Sequence, residues 1–164
     1  MKITIKEIDE KYKLEKFDCK TESINNYLKI SALYDSKFKL AITKVILIDE
    51  DIFGFYSLSI TEFFNFEEDI KYYGLNLDYI AVDKNYQSKG IGSKILEIVV
   101  AKSLEISNEI GCRYLVLDAL NEKVSWYEER GFEKVGEVEE GKNITTRMVM
   151  DFADLEYIEN LFNI

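Results

Sequence analysis

The stretch from 75 to 111 constrains the fold most, because a strand, a glycine loop and a helix are predicted there in direct succession. LNLDYIAV, residues 75–82, is short and apolar enough to be a central strand. The polar segment NYQSKGIGSK, residues 85–94, follows it and holds two glycines one residue apart. Apolar residues then recur at about helical spacing from Ile91 up to Gly111, which predicts a long helix that begins at the glycine loop.

The remaining segments show strand and helix patterns without a linker, since the chain has no proline, no low-complexity run and no repeat. Strands are predicted at 2–8, 42–48, 51–60, 113–120, 133–138 and 143–150, and helices at 23–38, 121–130 and 154–162. Thr21 and Ser23 favour a helix start, Asn121 is expected to cap the helix at 121–130, and Gly131 to end it. The order predicts an α/β (α+β) fold with a mixed sheet and helices on its faces.

The length of 164 residues fits a single domain, since domains cluster near ~100–150 residues. Residues 151–164 are expected to be its C-terminal helical extension. No apolar run approaches the ~18 residues of a membrane span or the ~7–15 residues of a secretion signal, so we expect a cytoplasmic protein with no membrane partner. Cys19 and Cys112 form no CxxC pair, so buried thiols are expected rather than a disulfide or a metal site.

The absence of histidine removes several kinds of catalytic site. A Ser-His-Asp triad, a Cys-His dyad and most catalytic zinc sites all require imidazole. Any catalysis by this chain must therefore use carboxylates, tyrosine, backbone amides or a cofactor, and no metal site is expected.

The net charge of −10 argues against non-specific binding of nucleic acid, which depends on Lys and Arg contacts to phosphate. The charge is unevenly distributed. Residues 1–44 hold ten Lys and seven acidic residues, net +3, whereas residues 45–164 hold eleven basic and twenty-four acidic residues, net −13. A local basic face near the N-terminus is therefore compatible with the sequence.

The glycine loop has the features of an anion site. A helix start offers unpaired backbone N–H groups and the positive end of the helix dipole, and Gly90 and Gly92 let phosphate oxygens approach the backbone. The Walker A pattern GxxxxGK[ST] is absent, and Ile95 replaces the third glycine of a dinucleotide-binding loop. The remaining pattern, Gln/Arg-x-x-Gly-x-Gly/Ala, is matched by residues 87–92 at every specified position.

With this pattern the chain resembles the GNAT acetyltransferase superfamily. The strand before the loop, the helix after it, Asn121 and the segment WYEERGF, residues 126–132, fall where that family has them, over about 40–150. The resemblance implies acetyl-CoA as cosubstrate. It also implies a mostly antiparallel central sheet with a splay between the strands at 75–82 and 113–120.

The resemblance further implies which positions bind acetyl-CoA. They are Ile80, Ala81, Val82, Gln87, Ser88, Lys89, Gly90, Ile91, Gly92, Ser93 and Asn121. The backbone of Ile80 and Val82 is expected to pair with the pantetheine arm, and the amides of 88–93 to hold the diphosphate. Lys89 and Lys94 are expected to add positive charge near the phosphates, unless they are only solvated surface lysines.

Acetyl transfer to an amine needs a neutral nucleophile, a stabilised oxyanion and a proton for the leaving thiolate. In the family resemblance, Tyr127 supplies that proton beside the CoA sulfur; the alternative is that it only packs in the core. A backbone N–H of residues 80–82 is the family's oxyanion donor. Asp78, Glu62 and Asp118 are candidate bases, and the sequence singles out none of them.

The N-terminal third is similar to the GNAT toxins of bacterial toxin-antitoxin pairs. The matching residues are Phe17, Asp18, Cys19, Leu28, Ala32, Gly54, Tyr56 and Leu58. Such toxins acetylate the α-amine of aminoacyl-tRNA, an acceptor whose low pKa suits a site without a strong base. The acidic overall charge departs from the basic tRNA surface of these toxins.

Three functions therefore stay open. The first is an acetyl-CoA-dependent N-acetyltransferase that acts on a primary amine, including a small molecule. The second is a toxin that acetylates aminoacyl-tRNA and has an antitoxin partner. The third is a protein that binds CoA without turnover. Self-association as a homodimer is compatible with each of them.

Overall fold

The computed structural model describes residues 2–154. The chain divides into two compact units, Met1–Ser59 with Leu77–Ala101 and Ile60–Asn76 with Lys102–Ile164. The predicted single domain stays a prediction. In the described part of the chain, no helix is long and apolar enough to cross a membrane.

Within residues 2–154, seven strands and four α-helices follow the predicted order. The strands are β1 (Ile3–Glu7), β2 (Ile42–Ile48), β3 (Asp51–Asn65), β4 (Ile70–Val82), β5 (Tyr114–Ala119), β6 (Glu133–Glu140) and β7 (Asn143–Asp151). The helices are α1 (Glu22–Asn26), α2 (Ala32–Lys37), α3 (Ile91–Ile110) and α4 (Val124–Glu128). A π-helical turn at Tyr27–Ser31 joins α1 to α2, and 3₁₀ turns lie at Leu14–Lys16, Lys84–Tyr86 and Asn121–Lys123.

The strands form one sheet in the order β1-β2-β3-β4-β5-β7-β6. The pairs β1–β2, β2–β3, β5–β7 and β6–β7 are antiparallel. β4 and β5 are parallel and pair at Gly74–Tyr114, Leu75–Leu115 and Asn76–Val116. The predicted mixed, mostly antiparallel sheet is confirmed.

In the first unit, the N-terminal segment covers strands β2 and β3 with apolar side chains. Phe17 and Phe55 are almost fully buried and pack edge to face, with ring centroids 5.3 Å apart. Leu28 and Ala32 are completely buried in the same cluster, together with Cys19. Phe17, Cys19, Leu28 and Ala32 therefore form part of the hydrophobic core.

In the second unit, Arg113 forms hydrogen bonds and ring contacts with residues of strands β4, β5 and β7. Arg113 donates to both carboxylate oxygens of Asp151 at 3.0 Å and to the hydroxyl of Tyr72 at 3.0 Å. Its guanidinium lies 4.8 Å from the Tyr72 ring centroid, and the Tyr114 ring packs against that ring and against Phe63.

Both cysteines are buried free thiols, as predicted, and burial raises the pKa of each.

Strand β6 is the last strand of the sheet, and nearly all of it is exposed. It carries four glutamates, Glu133, Glu137, Glu139 and Glu140. It pairs on one side with β7, with an irregularity between Lys134 and Gly136.

Several boundaries differ from the prediction. β3 runs to Asn65 and β4 begins at Ile70, so that both strands are longer than predicted. Asn121 does not cap a helix, because it lies in a 3₁₀ turn and Lys123 occupies the N-cap position of α4. β7 includes Asp151, so the expected C-terminal extension does not begin at 151; the predicted helix at 154–162 lies outside the described residues except for its first residue.

Candidate active site

The predicted anion loop lies in the first unit, between β4 and α3. β4 ends at Val82, and the buried Asp83 accepts a hydrogen bond from the backbone N–H of Asn85 at 2.9 Å, which starts the 3₁₀ turn. Gln87 then has an extended conformation, and α3 begins at Ile91. The structure thus brings residues 80–82 and 87–93 together in one segment.

Two left-handed residues shape this loop. Ser88 has a φ of 61° and Gly90 has a φ of 75°, and both are exposed together with Lys89. Successive backbone N–H groups in such a turn can point into one concave site that suits an anion. α3 is 20 residues long, so the positive end of a full helix dipole lies at the same place. The loop therefore has two features that are typical of anion sites, left-handed residues and the start of a long helix.

The side chain of Gln87 is engaged within the protein. Its amide nitrogen donates to the carbonyl of Val82 at 2.9 Å and to the carbonyl of Cys19 at 3.1 Å. Gln87 was predicted to bind the cofactor, and in the structure its side chain joins the end of β4 to the N-terminal segment. Gln87 would therefore support ligand binding indirectly, by holding the loop in one conformation.

Gly54 lies on β3 at a position without room for a side chain. A Cβ atom at this position would lie 2.6 Å from Cδ1 of Ile95 on α3 and 3.0 Å from the carbonyl oxygen of Ala81 on β4. The close approach brings β3 against both elements that flank the anion loop. A larger residue at position 54 would displace β4, the strand whose backbone is expected to pair with pantetheine.

Tyr127 lies on α4 in the second unit and is buried, with 9% of its surface exposed. Its ring packs edge-on against Trp126 and Phe132, at centroid distances of 4.9 and 5.6 Å. The Tyr127 carbonyl accepts hydrogen bonds from the N–H groups of Arg130 and Phe132, which fix this turn. Burial raises the pKa of Tyr127 to about 12, so the phenol keeps its proton at neutral pH.

Asn121 lies beside a polar cavity of about 460 Å³ in the same unit. The cavity is lined by Asn121, Val124, Ser125, Glu128, Lys134, Gly136, Glu137 and Thr146. Asn121 is exposed, so its amide is accessible to a ligand. The second unit thus holds Asn121 and Tyr127, the two predicted site residues that follow β5.

The three candidate bases differ in their surroundings. Both oxygens of Asp118 accept hydrogen bonds from Arg147, at 2.9 and 3.1 Å, so this carboxylate is engaged in an ion pair. Glu62 is exposed and pairs with Lys71 at 3.4 Å. Asp78 is half-buried on β4. None of these observations assigns a general base.

A polar cluster beside β4 was not predicted. The ring of Tyr27, in the π-helical turn, stacks on that of Tyr79 with centroids 3.8 Å apart. The Tyr27 hydroxyl is 3.2 Å from both Asp35 and Ser57, and Ser57 accepts a hydrogen bond from Thr43 at 3.2 Å. The only sequence signal was polar residues within apolar runs, and their hydrogen-bond partners are up to 30 residues away.

The basic character of the N-terminal third is at the surface. Nine lysines there are exposed: Lys2, Lys6, Lys11, Lys13, Lys16, Lys20, Lys29, Lys37 and Lys39. Among the described residues, no group of three or more His, Cys, Asp or Glu side chains could hold a metal ion.

Comparison with known proteins identifies one family. The model of the acetyltransferase (GNAT) domain matches residues 41–134, which is more than half of the chain. No curated protein matches the chain in sequence.

Several solved structures share the fold. One is a mutant of the toxin AtaT bound to the C-terminus of the antitoxin AtaR and acetyl-CoA, with 23% identity, a TM-score of 0.81 and coverage of 100% of both chains. A second, AtaT complexed with acetyl-methionyl-tRNAfMet, has 21% identity and a TM-score of 0.81 and covers 96% of this chain and 99% of that one. The KacTA–DNA complex has 25% identity, a TM-score of 0.79 and coverage of 99% of each chain.

Proposed function

Because the chain belongs to the GNAT acetyltransferase family, we propose that it binds acetyl-CoA and transfers the acetyl group directly to a primary amine. One observation carries the proposal. The loop with left-handed residues at Ser88 and Gly90 opens a 20-residue helix within the part of the chain that matches the family. That backbone suits a diphosphate, which acetyl-CoA supplies.

The proposed binding mode uses main-chain groups more than side chains. The N–H groups of residues 88–93 would hold the diphosphate, with Lys89 adding charge, and Asn121 would also contact the cosubstrate. The backbone of Ile80 and Val82 would pair with the pantetheine arm. β4 continues to Val82, whereas its pairing with β5 covers residues 74–76, which supports this role for its last residues.

In the proposed reaction the neutral amine attacks the thioester carbonyl and forms a C–N bond, and a backbone N–H of residues 80–82 stabilises the oxyanion. The C–S bond then breaks, the nitrogen loses its proton to solvent water, and Tyr127 stabilises the leaving thiolate. A phenol with a pKa of about 12 differs by about 3.5 pKa units from a thiol near ~8.5, so complete proton transfer would cost about 5 kcal/mol. A hydrogen bond from the phenol to the thiolate is therefore the main contribution of Tyr127. The fully protonated phenol is suited to that role.

Within this class we propose the α-amine of aminoacyl-tRNA as the acceptor. The α-amine has a reference pKa of ~8, against ~10.4 for lysine, so it needs little help from a base. Solved toxins have the same fold over almost the whole chain, and one is complexed with an acetylated aminoacyl-tRNA. Exposed lysines of the N-terminal third supply charge for phosphate contacts. An antitoxin partner and a cytoplasmic location belong to the same proposal.

Calorimetry with acetyl-CoA tests the proposed cosubstrate. We expect binding with a Kd of roughly 1–100 μM, in the usual range for an enzyme substrate. Gly90→Val should weaken binding at least ~10-fold, because φ at Gly90 is 75° and a β-branched residue is strained there. Gly141→Val is the matched control, since Gly141 has a φ of 61° and, like Gly90, has open space around its Cβ position. No heat of binding to folded protein would refute the proposal.

Cell-free translation with and without acetyl-CoA tests the acceptor. If aminoacyl-tRNA is acetylated, the protein should inhibit translation only when acetyl-CoA is present, and a peptidyl-tRNA hydrolase should restore synthesis. An active acetyltransferase that leaves translation unchanged would exclude the tRNA acceptor and favour a small amine.

A further inference from the structure

The segment Phe17–Lys20 is bound to the loop that leads into the anion site, although about 65 residues separate them in the sequence. The contact centres on the carboxylate of Asp18. Its Oδ2 accepts a hydrogen bond from Nζ of Lys84 at 2.9 Å. Its Oδ1 accepts from the amide of Asn25 and from the backbone N–H of Lys20, both at 2.9 Å. These donors hold the pKa of Asp18 well below its usual range, so the carboxylate is charged at neutral pH.

Backbone N–H groups of both segments also donate hydrogen bonds across the contact. The N–H of Lys84 donates to the carbonyl of Asp18 at 2.7 Å. The N–H of Asp18 donates to the buried carboxylate of Asp83 at 3.1 Å, and Asp83 also caps the 3₁₀ turn through Asn85. The turn that follows β4 therefore has its position set by Asp18 and Asp83 together.

Gln87 makes a further contact between the two segments, one residue before the left-handed turn at Ser88. Its side chain bonds to the carbonyls of Cys19 and Val82, and Ser88 follows with a φ of 61°. Ser88 is not glycine, so its left-handed conformation needs surrounding structure to maintain it. A loop already held in its binding conformation loses less conformational entropy when a ligand binds.

We propose that Asp18 is a positioning residue for acetyl-CoA, which fixes the segment Lys84–Gln87 so that the loop at Ser88–Gly92 is shaped for a diphosphate before the ligand binds. This inference rests on the proposed function. It gives Asp18, in the Phe-Asp-Cys segment, a role in affinity for the nucleotide end of the cosubstrate. Asp18 touches no reacting atom in this account.

Asp18→Asn tests the proposal with almost no change in side-chain size. We expect the Kd for acetyl-CoA to rise about 10-fold, which corresponds to about 1.4 kcal/mol of binding free energy. The kcat at saturating acetyl-CoA should change less than ~2-fold, since the reacting groups are untouched. Glu105→Gln is the control, because it removes an exposed carboxylate that pairs with Lys102 at 3.5 Å at the other end of α3.

S-acetylpantetheine lacks the diphosphate and does not use the loop. Activity with this substrate therefore distinguishes a displaced loop from a general loss of structure. The kcat/KM for this shorter substrate should be the same for Asp18→Asn and the unmodified protein. An equal loss with both substrates, or an unchanged Kd for acetyl-CoA, would overturn the role of Asp18. Failure of the unmodified protein to bind acetyl-CoA would instead overturn the proposed function on which this role depends.

Substitutions of Lys84 test the same interaction if Asp18→Asn folds poorly. Lys84→Ala should weaken acetyl-CoA binding as much as Asp18→Asn does, and Lys84→Arg should retain most of the affinity, because arginine keeps a donor for the carboxylate. The double variant should bind about as weakly as either single variant, since both remove one interaction. Additive losses in the double variant would contradict the proposal.

Discussion

Tyr127→Phe is expected to lower kcat at least ~10-fold and toward ~100-fold, with acetyl-CoA affinity nearly unchanged. The substitution removes only the hydroxyl, which in the proposed mechanism donates a hydrogen bond to the leaving thiolate. The phenol is buried and has a pKa of about 12, so it is protonated over the working pH range. Steady-state rates and calorimetry on the same preparation measure both quantities.

Tyr114→Phe is the matched control, because Tyr114 is a buried tyrosine of the same unit whose hydroxyl accepts a long hydrogen bond of 3.4 Å from Asn65. It should leave kcat within ~2-fold. An unaltered rate in Tyr127→Phe would reduce Tyr127 to a packing residue. Loss of acetyl-CoA binding in Tyr127→Phe would likewise show that the hydroxyl does not act in the transition state alone.

Gly74→Ala is expected to lower the free energy of unfolding by about 3 kcal/mol, at the upper end of the cost of overpacking. A Cβ atom at Gly74 would lie 2.8 Å from the carbonyl oxygen of Tyr114, its partner in the β4–β5 pair. That oxygen belongs to the main chain, so the strands themselves must move apart. Urea unfolding followed by circular dichroism measures the change.

Gly136→Ala provides the comparison for Gly74→Ala. Gly136 is also in a strand, and a Cβ atom there meets nothing within 4 Å. Its free energy of unfolding should change by less than ~0.5 kcal/mol. Equal stability of the two variants would show that β4 and β5 adapt to the added methyl group.

Much of the fold could be predicted because apolar periodicity and glycine mark its elements clearly. β2 matches its predicted limits, and α3 ends just before Gly111, whose φ of 67° suits a helix end. The ends of β3 and β4 were missed because the segment FFNFEEDIKYYG has no proline and no early glycine, and exposed aromatic residues such as Phe66 obscure its alternation.

The candidate site was predictable where it depends on local backbone and not where it depends on distant contacts. The glycine pattern located the loop at 87–92, because glycine spacing reports directly on backbone conformation. Asn121 was wrongly predicted as a helix cap because its residue type favours both caps and tight turns. The contact between Asp18 and Asp83 could not be predicted, since nothing local in either segment indicates a partner 65 residues away.

The exposed outer strand β6 also limits how two copies of this chain can associate. A bare strand at the side of a sheet offers hydrogen-bonding groups that another strand can join. Here four glutamates on one eight-residue strand would face their counterparts if two β6 strands met, and like charges opposite each other destabilise such a pair. These charges therefore disfavour the association of two copies of the chain through a pair of β6 strands.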